Sequence, residues 1–179
     1  MVNWNVVVSV NEDGFRKAFD ILGEFGEVKR TDFLNVLVMH TDNLQNLLET
    51  LNNNLLEDND YLSFLSRLIP VTETFSFQTP EEFENKSKKA VLTWVPVLRG
   101  RTFHVRMRRR GFKGKLSSLS EEQFLDHVLI EALDAVGAPG RITFDDPDAI
   151  IAVETIANRA GLSLWTREQM HRYPFIRLS

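Results

Sequence analysis

The 179-residue chain contains no cysteine, which excludes disulfides, iron–sulfur clusters and cysteine-ligated zinc. It has no apolar run approaching the roughly 20 residues that cross a bilayer. No Gly-rich dinucleotide turn, P-loop or nucleophile elbow is present. The start, Met1-Val2-Asn3-Trp4-Asn5, lacks the basic n-region of a secretory signal, so a cytoplasmic, non-membrane protein is expected. A further absence is local. Between Asn85 and Ser120 there is no acidic residue, yet eleven of the 21 basic residues lie there: Lys86, Lys88, Lys89, Arg99, Arg101, Arg106, Arg108, Arg109, Arg110, Lys113 and Lys115. The rest of the chain holds ten basic residues against 25 acidic ones. A chain of net charge −4 therefore carries one strongly basic block. Such a block attracts polyanions whatever the overall charge, and nucleic acid is the first candidate.

The apolar content of 43%, with 13 Phe, is enough for a packed core. Alternation predicts a strand over Trp4–Val10, and the spacing of Phe15, Ala18, Phe19, Leu22 and Phe25 predicts a helix. Phe33–Met39 reads as a buried strand, and Leu44, Leu47, Leu48, Leu51 and Leu55 form the stripe of a second helix. Tyr61–Leu65 reads as a helical turn and Val71–Phe77 as a third strand. The order β-α-β-α-β over 1–78 suits a truncated ferredoxin-like unit. Thr79-Pro80-Glu81-Glu82 marks a helix start, with Thr79 as the cap, Pro80 first in the helix and Glu82 closing a capping box. Beyond it, residues 79–179 read as an α/β layer domain. It comprises a strand over Arg101–Arg110, a helix capped by Ser120 and strands at Arg141–Phe144, Ala149–Thr155 and Leu162–Trp165. The expected class is α+β in two domains.

The sharpest pattern is the strand Thr102–Arg110. Side chains alternate faces along a strand, so Phe103, Val105 and Met107 share one face and His104, Arg106, Arg108 and Arg110 the other. Every second residue advances roughly 6.6–6.8 Å, near the spacing of successive phosphates, and the guanidinium fork suits phosphate. Gly111-Phe112-Lys113-Gly114-Lys115 follows, where two glycines let a ligand approach and two lysines add charge. Phe112 either stacks on an unpaired base or tucks into the fold. Rows of Arg also serve as solvated edge protection, but the missing acids favour binding. The RNA-binding set is thus Arg99, Arg101, Arg106, Arg108, Arg109, Arg110, Phe112, Lys113 and Lys115, extended by Lys86, Lys88 and Lys89.

Nothing positively supports catalysis. Asp145, Asp146 and Asp148 resemble a cation site, but Asp-Asp-Pro-Asp between strands is also turn composition, which is favoured. His40, His104, His127 and His171 are isolated and form no metal-ligand pair. Glu154 is expected to pair structurally with a basic residue. No catalytic residue, metal or cofactor is expected.

Arg101–Gly111 resembles the strand of THUMP domains that runs into a basic loop. The likeness continues through the helix from Ser120 to Val136, then through Ile142-Thr143-Phe144-Asp145-Asp146-Pro147-Asp148 and the strand ending in Val153-Glu154. Gly161-Leu162-Ser163-Leu164 resembles the family's final hairpin strand, and the first half its preceding ferredoxin-like domain. The resemblance implies tRNA binding at the acceptor end. Within the family the chain resembles the small stand-alone type that serves a tRNA-modifying enzyme, such as the adaptor of tRNA cytidine acetylation. The alternative is a protein–protein or homodimerisation module with a basic docking strand. The sequence leaves open the oligomeric state and which RNA is bound.

Overall fold

The computed structural model describes residues 3–178. Strand β1 (Val6–Val10) lies in the interior of a four-stranded sheet because Val6, Val7, Val8 and Val10 are all buried. Around it are α1 (Phe15–Leu22), β2 (Glu27–Arg30), β3 (Val36–His40), α2 (Leu44–Glu57) and β4 (Leu65–Pro70). The sheet order is β2-β3-β1-β4 with every pair antiparallel. This is the complete β-α-β-β-α-β arrangement of the ferredoxin-like motif rather than the truncated one expected.

Two of its strands are not legible in the sequence. β2 carries Glu27, Lys29 and Arg30 and is largely exposed, so it has no apolar alternation to read. In β4, Leu68, Ile69 and Pro70 are buried in succession, and the pairing with β1 shifts register at Ser9/Val10, which removes the period of two. The turn expected at Tyr61–Leu65 ends where this strand begins.

The strand expected at Val71–Phe77 exists as β5 (Glu73–Ser76), but it pairs with β9 in a second sheet. The remaining elements are α3 (Pro80–Leu92), α4 (Val95–Leu98), β6 (Thr102–Arg108), α5 (Ser118–Ala135), β7 (Arg141–Ile142), β8 (Ala149–Ile156), β9 (Arg159–Thr166) and α6 (Arg167–Arg172). Their sheet order is β5-β9-β8-β6-β7, with β6 parallel to both neighbours and the other pairs antiparallel. All eight residues of β8 are buried, as expected of a strand covered on both faces. One face of this sheet packs Phe103, Val105, Met107, Ile151 and Val153 against Phe83 and Val91 of α3 and Leu125, Leu129 and Leu133 of α5.

The chain divides into two units, one of residues 3–71 with Met170–Arg177, the other Thr72–Gln169 with Leu178. In the first unit the C-terminal segment is held by Phe175, whose carbonyl accepts from Leu68 N at 3.1 Å. It is also held by Arg172 and Tyr173, which both donate to Glu49. At α3 the expected cap is in place: Thr79 Oγ1 accepts from Glu82 N at 3.1 Å, and Glu82 accepts from Gln78 N. The cap of α5 is Ser117 rather than Ser120. No helix among the described residues is long and apolar enough to cross a membrane.

Candidate nucleic-acid interface

β6 presents the basic row because Phe103, Val105 and Met107 are drawn into the core. The opposite face is not uniformly cationic. His104 is 4% exposed, and its ring lies 5.2 Å from that of Phe144. Burial pushes its pKa below the usual value, which keeps the imidazole neutral at pH 7.

Arg110 is locked to a carboxylate. Its Nη1 lies 2.9 Å from Glu154 Oε1, and the two side chains are 11% and 0% exposed. The parallel register of β6 and β8 sets Arg108 opposite Glu154, so a fully buried acid sits within the arginine row. The Arg110 backbone is equally committed, its N–H to Thr155 Oγ1 and its carbonyl to Ala157 N. Arg110 is therefore a structural residue and leaves the phosphate-binding set. Glu154, expected to pair structurally, does so.

Three further residues depart from the sequence expectation. Lys86 Nζ is 2.8 Å from Glu82 and 2.6 Å from the Ser76 carbonyl, which ties it to the start of α3. Phe112 lays its ring on Phe77, with centroids 4.9 Å apart, so the fold uses it as packing rather than leaving it as a stacking face. Arg109 donates to the Gly111 carbonyl within its own loop and is half-buried, as is Arg108. Gly111 has φ +99°, and a Cβ there would sit 2.9 Å from Ala157 Cα, so close backbone approach fixes this glycine.

Lys88, Lys89, Arg99, Arg101, Arg106, Lys113 and Lys115 are exposed and form no ion pair with another described residue. Arg99 and Arg101 precede β6, Lys113 and Lys115 follow it, and Arg106 lies between. Arg141, absent from the sequence-derived set, is also exposed and stands opposite Thr102 in the register. Its strand has only two residues, so no sequence period could place it beside β6.

Acids also reach the open edge of β6. β7 pairs only with Thr102 and Phe103, and carboxylates of α5 take over the amides beyond. Val105 N donates to Asp126 Oδ1 at 3.2 Å and Met107 N to Glu122 Oε2 at 2.7 Å. Burial pushes Asp126 up to about 7. Burial first, and then the hydrogen bond and charge of Glu84, hold Glu121 well above the carboxylate range.

The sign follows from these raised values. The unfolded chain ionises these groups near pH 4, the folded chain holds the protons, and stability is lost as pH rises toward 7 and 8. Glu121→Gln should raise the melting temperature at pH 8 and leave it nearly unchanged at pH 5. Equal shifts at both pH values in thermal unfolding would show that the buried carboxyl does not titrate this way.

The aspartate turn is a clip. Asp148 Oδ2 accepts from Thr102 N at 2.9 Å and Thr102 Oγ1 at 3.1 Å, which lowers its pKa. Arg167 Nε lies 2.9 Å from Asp146 and its Nη1 3.1 Å from Asp148. No group of three His, Asp or Glu among the described residues could hold a metal ion.

The same fold recurs in solved structures of longer proteins. TrmN from Thermus thermophilus is 15% identical with a TM-score of 0.61, over 90% of this chain and 44% of TrmN. PH1313 from Pyrococcus horikoshii is 12% identical with a TM-score of 0.58, over 90% of this chain and 54% of PH1313. A 4-thiouridine synthetase in complex with RNA and bound ATP is 14% identical with a TM-score of 0.54, over 92% of this chain and 42% of the synthetase. The chain thus spans about half the length of these proteins, or less. At such identities the likeness is one of fold. No protein-family profile and no curated protein sequence matches the chain.

Proposed function

We propose that the chain is a non-catalytic, THUMP-like RNA-binding protein of the cytoplasm. It holds tRNA near the acceptor end as an adaptor for a tRNA-modifying enzyme. The observation that carries this reading is the set of exposed cations before, on and after β6, none ion-paired among the described residues. The shared fold with an RNA-bound synthetase supports it. The phosphate-binding set becomes Lys88, Lys89, Arg99, Arg101, Arg106, Lys113, Lys115 and Arg141, with Arg108 and Arg109 at its margin. Binding of this kind releases counterions, so each phosphate neutralised adds roughly 0.7–0.9 to the salt slope.

Filter binding of unmodified tRNA over about 50–200 mM salt tests the proposal. A log–log slope steeper than about −3 is expected. No measurable binding at the lowest salt, or a flat slope, would rule it out and leave docking of a protein as the use of this surface.

A further inference from the structure

Phe144 is 74% exposed, and among the described residues it is the one Phe, Tyr or Trp that is exposed. An aromatic ring left in water is common enough by itself; its mounting is not ordinary. Thr143 N donates to the Phe103 carbonyl at 3.1 Å, which fastens the end of β7 beside β6 and sets Phe144 next to His104. Its ring rests on the His104 imidazole at 5.2 Å, tilted by 45°. The turn that follows is pinned by the Arg167 contacts to Asp146 and Asp148. The tilted imidazole thus braces the ring while most of the ring stays in water, and the backbone on either side of it is held.

The charge around this ring points to a nucleotide. Arg106 is exposed two residues beyond His104 on the same face of β6, roughly 6.6–6.8 Å further along the strand. Arg101 and Arg141 are exposed at the start of β6 and on β7. The register puts Arg141, opposite Thr102, on the same face of the sheet as His104 and Arg106, so two cations share the face on which Phe144 meets His104. Asp145, exposed beside the ring, disfavours a phosphate on its own side. The Asp146 carboxylate is already paired with Arg167. His104 stays neutral because it is buried, so it supports the ring without adding a cation.

We infer that Phe144, supported by His104 and sharing its face of the sheet with Arg106 and Arg141, is a stacking site for an unpaired nucleobase. Stacking on an aromatic face needs a base free of its duplex neighbours. The site therefore gives the protein a preference for RNA with a single-stranded end. This rests on the RNA-binding reading above and adds to it a selectivity that phosphate contacts lack.

The test uses the full chain and two RNA hairpins of equal stem length, one blunt and one with a four-nucleotide 3′ overhang containing 2-aminopurine. The wild type should prefer the overhang and quench the 2-aminopurine fluorescence. Phe144→Ala should weaken overhang binding by at least about fivefold, abolish the quenching and leave blunt binding unchanged. Phe144→Trp should retain both. Unchanged overhang binding in Phe144→Ala, or equal loss on both hairpins, overturns the stacking site but not RNA binding. Failure of the wild type to bind either hairpin overturns the RNA reading, and this site with it. A self-association by the wild type that Phe144→Ala abolishes, without any quenching, assigns the ring to a protein contact instead.

Discussion

Glu154→Ala is expected to lower the unfolding free energy by about 3–5 kcal/mol. The carboxylate is fully buried and faces Arg110, whose side chain is 11% exposed. Removing the acid leaves a guanidinium in a site that neither water nor another anion reaches easily, and the cost is that of an uncompensated buried charge. Arg110→Ala should act in the same direction. The double replacement Arg110→Met with Glu154→Met should cost less than the two single replacements together, because neither member of the pair is then left facing an empty place. Urea unfolding monitored by circular dichroism measures this. A loss below about 1 kcal/mol for Glu154→Ala would mean that water relieves the pair. The same experiment separates the arginines, since Arg106 is exposed and its replacement should shift stability by no more than about 0.5 kcal/mol.

Replacing Arg101, Arg106, Lys113 and Lys115 together by Gln should have its large effect on affinity. All four side chains are exposed, so the fold should tolerate the change. Removing each charge-assisted hydrogen bond to phosphate should weaken tRNA binding by roughly tenfold. The salt slope should become shallower by about 3, since each neutralised phosphate releases close to one counterion. Fluorescence anisotropy titrations at several salt concentrations report both quantities. An unaltered slope with intact folding would place the phosphate path elsewhere on the molecule.

Much of the second unit is readable one residue at a time. The cap at Thr79 is set by side-chain chemistry within four residues. The inward face of β6 follows from Phe103, Val105 and Met107 at intervals of two, and the stripe of α5 from Val128, Leu129 and Leu133. The paired state of Glu154 is also legible, because an acid in a run of Ala, Ile and Val must be buried and a buried carboxylate needs a partner.

The identity of that partner is not legible. Arg110 is 44 residues away, and only the register of β6 against β8 brings them together. The acid-free window from Asn85 to Ser120 promises an unneutralised block, but Glu82, Glu122, Asp126 and Glu154 all lie outside it and reach in through space. Phe144 gives no signal because it lies just past a two-residue strand that is too short to carry a period. β2 and β4 escape a sequence reading for the related reasons that an exposed edge strand and a strand with a shifted register carry no clean alternation.

The sequence by itself determined which face of each strand and helix is apolar and where positive charge accumulates along the chain. Both depend on neighbours within a few residues. The tertiary structure decided which of those charges are cancelled and which reach water. Cancellation depends on distances of about 3–4 Å between atoms far apart in the chain, and those distances are fixed only when strands take their register.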